Sequence, residues 1–100
     1  MDPAIPNIYV SDVVVSTAGR DQGSLYYVIS TDEMFLMLVN GKDRTLDKPK
    51  RKKRRHVQKV LRSETRVAAK ILSGDKVLNS ELRRDLAFHA GQMQANNLGG

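Results

Sequence analysis

Apolar residues are spaced in two ways along this chain, and the change falls near Arg62. Before it they come in short β-branched or alternating runs separated by polar breaks; after it they recur every three or four residues. Val13-Val14-Val15, led in by Tyr9-Val10, suits a strand buried on one or both faces. Ala18 to Gly23 breaks it, with Gly19 and Gly23 bracketing polar residues as a turn requires. Leu25 to Thr31 is a second strand, Asp32-Glu33 a short turn and Met34 to Val39 a third strand. Asn40-Gly41 follows at once and predicts a type I′ hairpin, whose two central positions both need positive φ. A fourth strand is then expected over Lys42 to Leu46, and a short fifth over His56 to Leu61. Alternation puts Tyr26 and Val28 on one face and Leu25, Tyr27 and Ile29 on the other, so one tyrosine is expected in the core and one at the surface.

Four or five short strands joined by tight turns favour a small twisted antiparallel barrel or half-barrel. Past it, Ser63 can cap a helix with Glu64 in its first turn, and Val67, Ala68, Ile71 and Leu72 share one face. Ser73-Gly74 ends that helix. Asn79 or Ser80 can cap a second, with Glu81 near its start and Leu82, Leu86 and Ala90 as its stripe. Gly91 should loosen or stop it, leaving Gln92 to Gly100 frayed. The expected division is an N-terminal extension over 1–8, a barrel over 9–62 and a helical segment over 63–100. The class is mainly β with two short C-terminal α-helices.

Charge changes this picture most. Lys50-Arg51-Lys52-Lys53-Arg54-Arg55 places six cations in a row, preceded by Lys48-Pro49 and followed by His56. From Lys42 to Arg62 there are eleven Lys or Arg against Asp43 and Asp47, a balance of +9 in a chain whose net charge is +6, so the remainder sums to −3. The basicity is a patch. Falling between the fourth and fifth expected strands, it should be a solvated loop on the barrel rim, and Pro49, which cannot donate to a ladder, agrees. A fold gains nothing from adjacent like charges, and a polyanionic partner is the usual reason to hold them together. A partnerless charged loop, a nuclear-localisation signal and an anionic membrane surface are the alternatives. The membrane reading is weakened because no amphipathic apolar face adjoins the run.

The remaining composition mostly excludes. Cysteine is absent, which removes disulfides, thiolate metal sites and cysteine nucleophiles together. The first residues carry neither a positive n-region nor an apolar stretch, and no apolar run approaches the length of a membrane span, so a cytoplasmic protein is expected. His56 and His89 are too isolated for a metal site; no nucleophile, base and orienting group can be assembled, so no enzyme and no cofactor are expected. Five aromatics, Tyr9, Tyr26, Tyr27, Phe35 and Phe88, are too few for a multi-base stacking platform, and shape-led phosphate binding is favoured instead.

Asp12-Val13-Val14-Val15-Ser16-Thr17-Ala18-Gly19-Arg20-Asp21-Gln22-Gly23, with Val28 in the next strand, resembles the KOW motif of large-subunit ribosomal proteins and NusG-type elongation factors. Val39-Asn40-Gly41-Lys42-Asp43-Arg44, then Lys48-Pro49-Lys50-Arg51-Lys52 and His56-Val57, is similar to the bacterial KOW-domain RNA-binding proteins related to the L14e family of archaeal and eukaryotic ribosomal proteins. The resemblance covers about Val13 to Lys59; Gln22 and Ser24 stand where many relatives carry a basic residue. It implies an SH3-like β-barrel that binds RNA, ribosomal RNA first, in or beside a ribosome and its proteins. The RNA-contacting set expected here is Lys50, Arg51, Lys52, Lys53, Arg54 and Arg55, with Arg20, Lys42, Arg44, Lys48, His56 and Lys59 around them. Gly19, Gly23, Asn40 and Gly41 are the expected turn residues, and Asp21 a turn former. The competing reading is a protein-interaction module of the transcription or translation machinery, in which the basic run only steers association. It would be marked by an exposed stripe of Val67, Ile71, Leu82 and Leu86.

Overall fold

A computed structural model describes residues 7–99. Five strands, β1 (Asp12–Ser16), β2 (Leu25–Thr31), β3 (Phe35–Val39), β4 (Lys50–Lys53) and β5 (Val57–Arg62), form one antiparallel sheet in the order β4-β3-β2-β1-β5. Two helices follow, α1 (Arg66–Ser73) and α2 (Asn79–Gly99). Irregularities between Val13 and Val14, and between Val28 and Ser30, interrupt the ladders; such bulges increase local twist and let a sheet bend. The two edge strands are joined by only the 3-10 turn Arg54–His56, so they approach each other at that end. No ladder joins β4 to β5 among the described residues, and the sheet stays open.

The bent sheet has a core on each side. On one side Ile8, Val14, Tyr26, Val28, Leu36, Leu38 and Val57 pack together. On the other, Val13, Tyr27 and Val39 meet Val67, Ala68, Leu82 and Leu86 from the helices. Strand alternation distributes neighbouring residues between the cores, so Tyr26 and Tyr27 are both buried. The expectation of one surface tyrosine fails because the helices cover the second face. The same packing makes Val67, Leu82 and Leu86 core, with Ile71 partly buried, so the stripe is not an exposed partner surface. Ile8 is 2% exposed and belongs to the body of the fold, although it was expected in the N-terminal extension; residues 1–6 of that extension lie outside the described residues.

Three further expectations need correction. Lys42 to Leu46 is a loop, and the fourth strand is the basic run itself. Asn40-Gly41 is not a type I′ turn: Gly41 has φ 76°, while Ser11 is the only described non-glycine residue with positive φ. Instead the Asn40 side chain organises a wider loop, accepting from the backbone N–H of Lys42 (2.9 Å) and Arg44 (3.0 Å). Helix ends also differ. Thr65, not Ser63, caps α1 by accepting from the Ala68 N–H, and the Asn79 carboxamide oxygen accepts from the Leu46 N–H in place of capping its own helix. The backbone of α2 continues helical through Gly91 to Gly99, since one interior glycine costs a helix only about 1 kcal/mol and need not end it. Among the described residues no helix is long and apolar enough to cross a membrane.

A buried polar cluster fastens α2 to the sheet. The Tyr27 hydroxyl donates to the Asp85 carboxylate and lies 2.7 Å from Ser63 Oγ and 3.2 Å from His89 Nε2. Burial and then the Asp85 carboxylate push the Tyr27 phenol up to about 12; burial and Asp21 do the same for Tyr26. Both pKa values are raised above that of a free phenol, about 10, so this stability is complete below pH 10 and lost as pH rises towards 12. Each tyrosine should account for on the order of 2 kcal/mol over that window. Urea unfolding at pH 9, 10 and 11 should show the decline, and Tyr27→Phe should flatten it; an equally steep decline in the variant would refute the assignment.

Candidate nucleic-acid interface

Six cations in a row become tolerable because a strand turns alternate side chains to opposite faces. In β4, Leu38 faces Lys50, Met37 faces Arg51, Leu36 faces Lys52 and Phe35 faces Lys53 across the ladder. Lys50 and Lys52 turn inwards and meet one carboxylate. Lys52 Nζ lies 2.8 Å from Asp21 Oδ1, and Lys50 Nζ 2.9 Å from Asp21 Oδ2. Ser16 Oγ and the Tyr26 hydroxyl each donate to Asp21 at 2.9 Å, and Lys52 also donates to the Ala18 carbonyl at 2.8 Å. Burial alone would raise the pKa of Asp21, but Lys52, Lys50, Ser16 and Tyr26 together hold it well below the usual carboxylate range. Asp21 is thus a hub, more than a turn former, and it locks the Gly19–Gly23 turn onto the basic strand.

The outward side chains differ. Arg51 is exposed and lies over the Phe35 ring, 3.8 Å from its centroid, which orders the guanidinium without neutralising it. Lys53 is half-buried and Arg55 exposed. Arg54 turns back to the protein, donating to the carbonyls of Asp32 (2.7 Å) and Ile8 (3.4 Å). Among the six, therefore, Arg51, Lys53 and Arg55 face outwards. As an edge strand, β4 would otherwise present open ladder groups to another sheet, and its long cations also block that pairing.

The other expected residues fall into three places. Arg20, Arg44 and Lys50 line a rim pocket of about 450 Å³ together with Asp21, Ser24, Tyr26 and Asp43, so its charge is mixed. Lys42 and Lys48 are exposed on the loop between β3 and β4. Lys59 lies away from that loop on β5, 3.1 Å from the buried Asp12 carboxylate. His56 is half-buried, and its carbonyl accepts from the Thr17 N–H at 2.9 Å, tying the 3-10 turn to the end of β1. Gly19 and Gly23 have φ of 87° and 91°.

Two features were not foreseen. The Asp21 hub joins residues up to 31 positions apart in sequence, and only the sheet brings them together. Tyr9 and Arg62, on the β5 side, border a second cleft that no motif announced. The Ser63–His89–Asp85 grouping is not arranged as a hydrolytic triad. Ser63 Oγ (3.0 Å) and Asp85 Oδ2 (3.4 Å) approach the same ring nitrogen, Nε2, whereas a triad aspartate orients the ring from the opposite one. Compared with known proteins, the chain matches no protein-family model and no curated sequence.

Proposed function

We propose that this chain is an RNA-binding domain of the KOW type, a small SH3-like barrel that works on structured RNA in or beside a ribosome in the cytoplasm. The observation that carries the reading is the alternation of β4: Arg51 and Lys53 point outwards from an edge strand and continue into Arg55, while Asp21 takes up the inward lysines. Cations held on a rigid strand present charge at fixed spacing, which suits an A-form backbone read by shape. Arg20, Lys42 and Lys48 are further cations on the neighbouring turn and loop. The barrel reading draws on the strand order and on the three-residue link between the sheet edges. The alternative protein-interaction reading is weaker, since Val67, Leu82 and Leu86 are occupied with core packing.

The test is a salt titration of binding to a structured ribosomal RNA fragment. Affinity should fall linearly on a log–log plot, and the triple variant Arg51→Gln/Lys53→Gln/Arg55→Gln should lower the slope by roughly two to three. Lys52 is left in place because it is 8% exposed and its removal would strand Asp21, mixing stability with binding. A triple variant that binds as the parent does, with the same slope, would sink the proposal.

A further inference from the structure

The chain from Asn7 to Asp12 is held with unusual firmness for a segment ahead of the first strand. The Asp12 N–H donates to the Tyr9 carbonyl at 3.1 Å, and the Tyr9 N–H donates back to the Asp12 carboxylate at 2.8 Å. Between them Ser11 sits at φ 75°, where a side chain is disfavoured and glycine is the usual residue. The Ser11 N–H is fixed on the Val28 carbonyl at 2.7 Å. Asp12 is 1% exposed and paired with Lys59, so its charge is spent inside the protein. All this order presents an aromatic ring to solvent: Tyr9 is 62% exposed. Strain of this kind persists only where the surroundings enforce it, and it clusters at binding sites.

Beside the ring lies a cleft of about 430 Å³, walled by Tyr9, Val10, Arg62 and the 59%-exposed Leu72 of α1, with Ser11 and Asp12 at its base. Lys59 Nζ stands 5.6 Å from the Tyr9 ring centroid and covers one face, leaving the other for a planar ligand. Arg62 makes no ion pair among the described residues. An aromatic ring, an aliphatic wall and Arg62 beside them match a nucleobase with its phosphate. An apolar protein side chain would gain the apolar contacts and leave Arg62 unused. The segment that carries Tyr9 is tied to the end of the basic run, since Arg54 donates to the carbonyl of Ile8, one residue before Tyr9.

We infer that this cleft takes one unpaired nucleobase of the bound RNA, stacked on Tyr9 and backed by Leu72, with Arg62 on the adjoining phosphate. The inference rests on the RNA-binding reading above and deepens it: the basic strand reads backbone shape, and the Tyr9 cleft requires a bulged or looped base, the usual target of sequence-sensitive RNA recognition. A single ring suffices, because one base is captured from an otherwise paired structure.

Two RNAs and three full-length variants test it. One RNA is a hairpin with an unpaired loop; the other is a fully paired duplex of matched length. Tyr9→Ala should weaken hairpin binding roughly 5- to 150-fold, as loss of one base–aromatic stack does, with an unchanged salt slope and unchanged duplex binding. Tyr9→Phe should stay within about twofold of the parent. The Arg51→Gln/Lys53→Gln/Arg55→Gln variant should weaken both RNAs. Tyr9→Ala that binds hairpin and duplex like the parent, beside a triple variant that loses both, overturns the nucleobase site and leaves the RNA-binding reading standing. That outcome is also the one expected if a protein side chain is the true occupant. A triple variant that binds both RNAs like the parent overturns the wider reading.

Discussion

Asp21→Asn should destabilise the protein by about 2–4 kcal/mol, read by urea or thermal unfolding at pH 7. The amide keeps the shape, but its single oxygen can accept from only one of Ser16, which donates to Oδ1, and Tyr26, which donates to Oδ2. It also removes the one charge that faces two lysines at 2.8 and 2.9 Å. Breaking one side of a largely buried ion pair costs more than the pair is worth, because the remaining charge is left desolvated. Lys52, 8% exposed, has no room to reach water. Adding Lys52→Met should therefore recover part of the loss, a coupling that a double-mutant cycle measures directly. If the double variant is no more stable than Asp21→Asn alone, the hub is not the cause. The acid limb gives a second reading. Since the Asp21 carboxyl titrates below its unfolded value near 3.9, its stabilisation is complete above about pH 4 and fades as pH falls further. Asp21→Asn should lose that dependence. Binding should move the opposite way, because Lys50, the more exposed of the two and released from Asp21, can add a phosphate contact and steepen the salt slope by up to about one.

Gly41→Ala should be at least as damaging, with a loss of about 3 kcal/mol or more and a melting temperature lower by more than about 10 °C. Two costs combine. At φ 76° an L-residue is strained by about 1–2 kcal/mol, and a Cβ there would run into the Asn79 backbone and lie 3.0 Å from Leu82 Cβ, at the start of α2. Backbone cannot move aside as a flexible side chain can, so the loop and helix must separate. Their link would weaken with them: Leu46 N–H to Asn79 Oδ1 at 3.1 Å, and the Arg83 guanidinium to the Gly41 carbonyl. Gly91→Ala is the internal control. It lies within α2 with no neighbour within 4 Å of an added Cβ, so alanine should stabilise by about 0.5–1 kcal/mol. Similar effects from both substitutions would mean that the 40–49 loop does not depend on its close approach to α2.

Both experiments concern residues whose type was legible early and whose task was not. Asn40-Gly41 announces a turn, and a turn is there; that its glycine exists for close approach to a helix 38 positions later is a tertiary fact. The basic run was visible at once as a polyanion signature, but its counter-charge was hidden, since Asp21 lies in a turn 29 and 31 residues before the lysines it binds. The Asn-Gly hairpin signal is why the fourth strand was expected at Lys42–Leu46, and strand propensity also argues against Lys and Arg in a row. An edge position, an internal carboxylate and the Phe35 ring outweighed that propensity.

What the sequence determined by itself is the order of events along the chain: short strands up to Arg62, among them a glycine-bracketed turn and a concentrated positive patch, then two helices. Those follow from periodicity, turn chemistry and charge, which act between near neighbours. What only the tertiary structure decided is how the patch is divided, with Lys50 and Lys52 drawn inwards and Arg51, Lys53 and Arg55 left facing out. It also decided that both tyrosines of β2 are buried while Tyr9, ahead of the first strand, is the exposed tyrosine. The reason is common to all of these. Burial and ion pairing depend on which faces of the sheet become covered, and that is set by contacts between residues far apart in the chain.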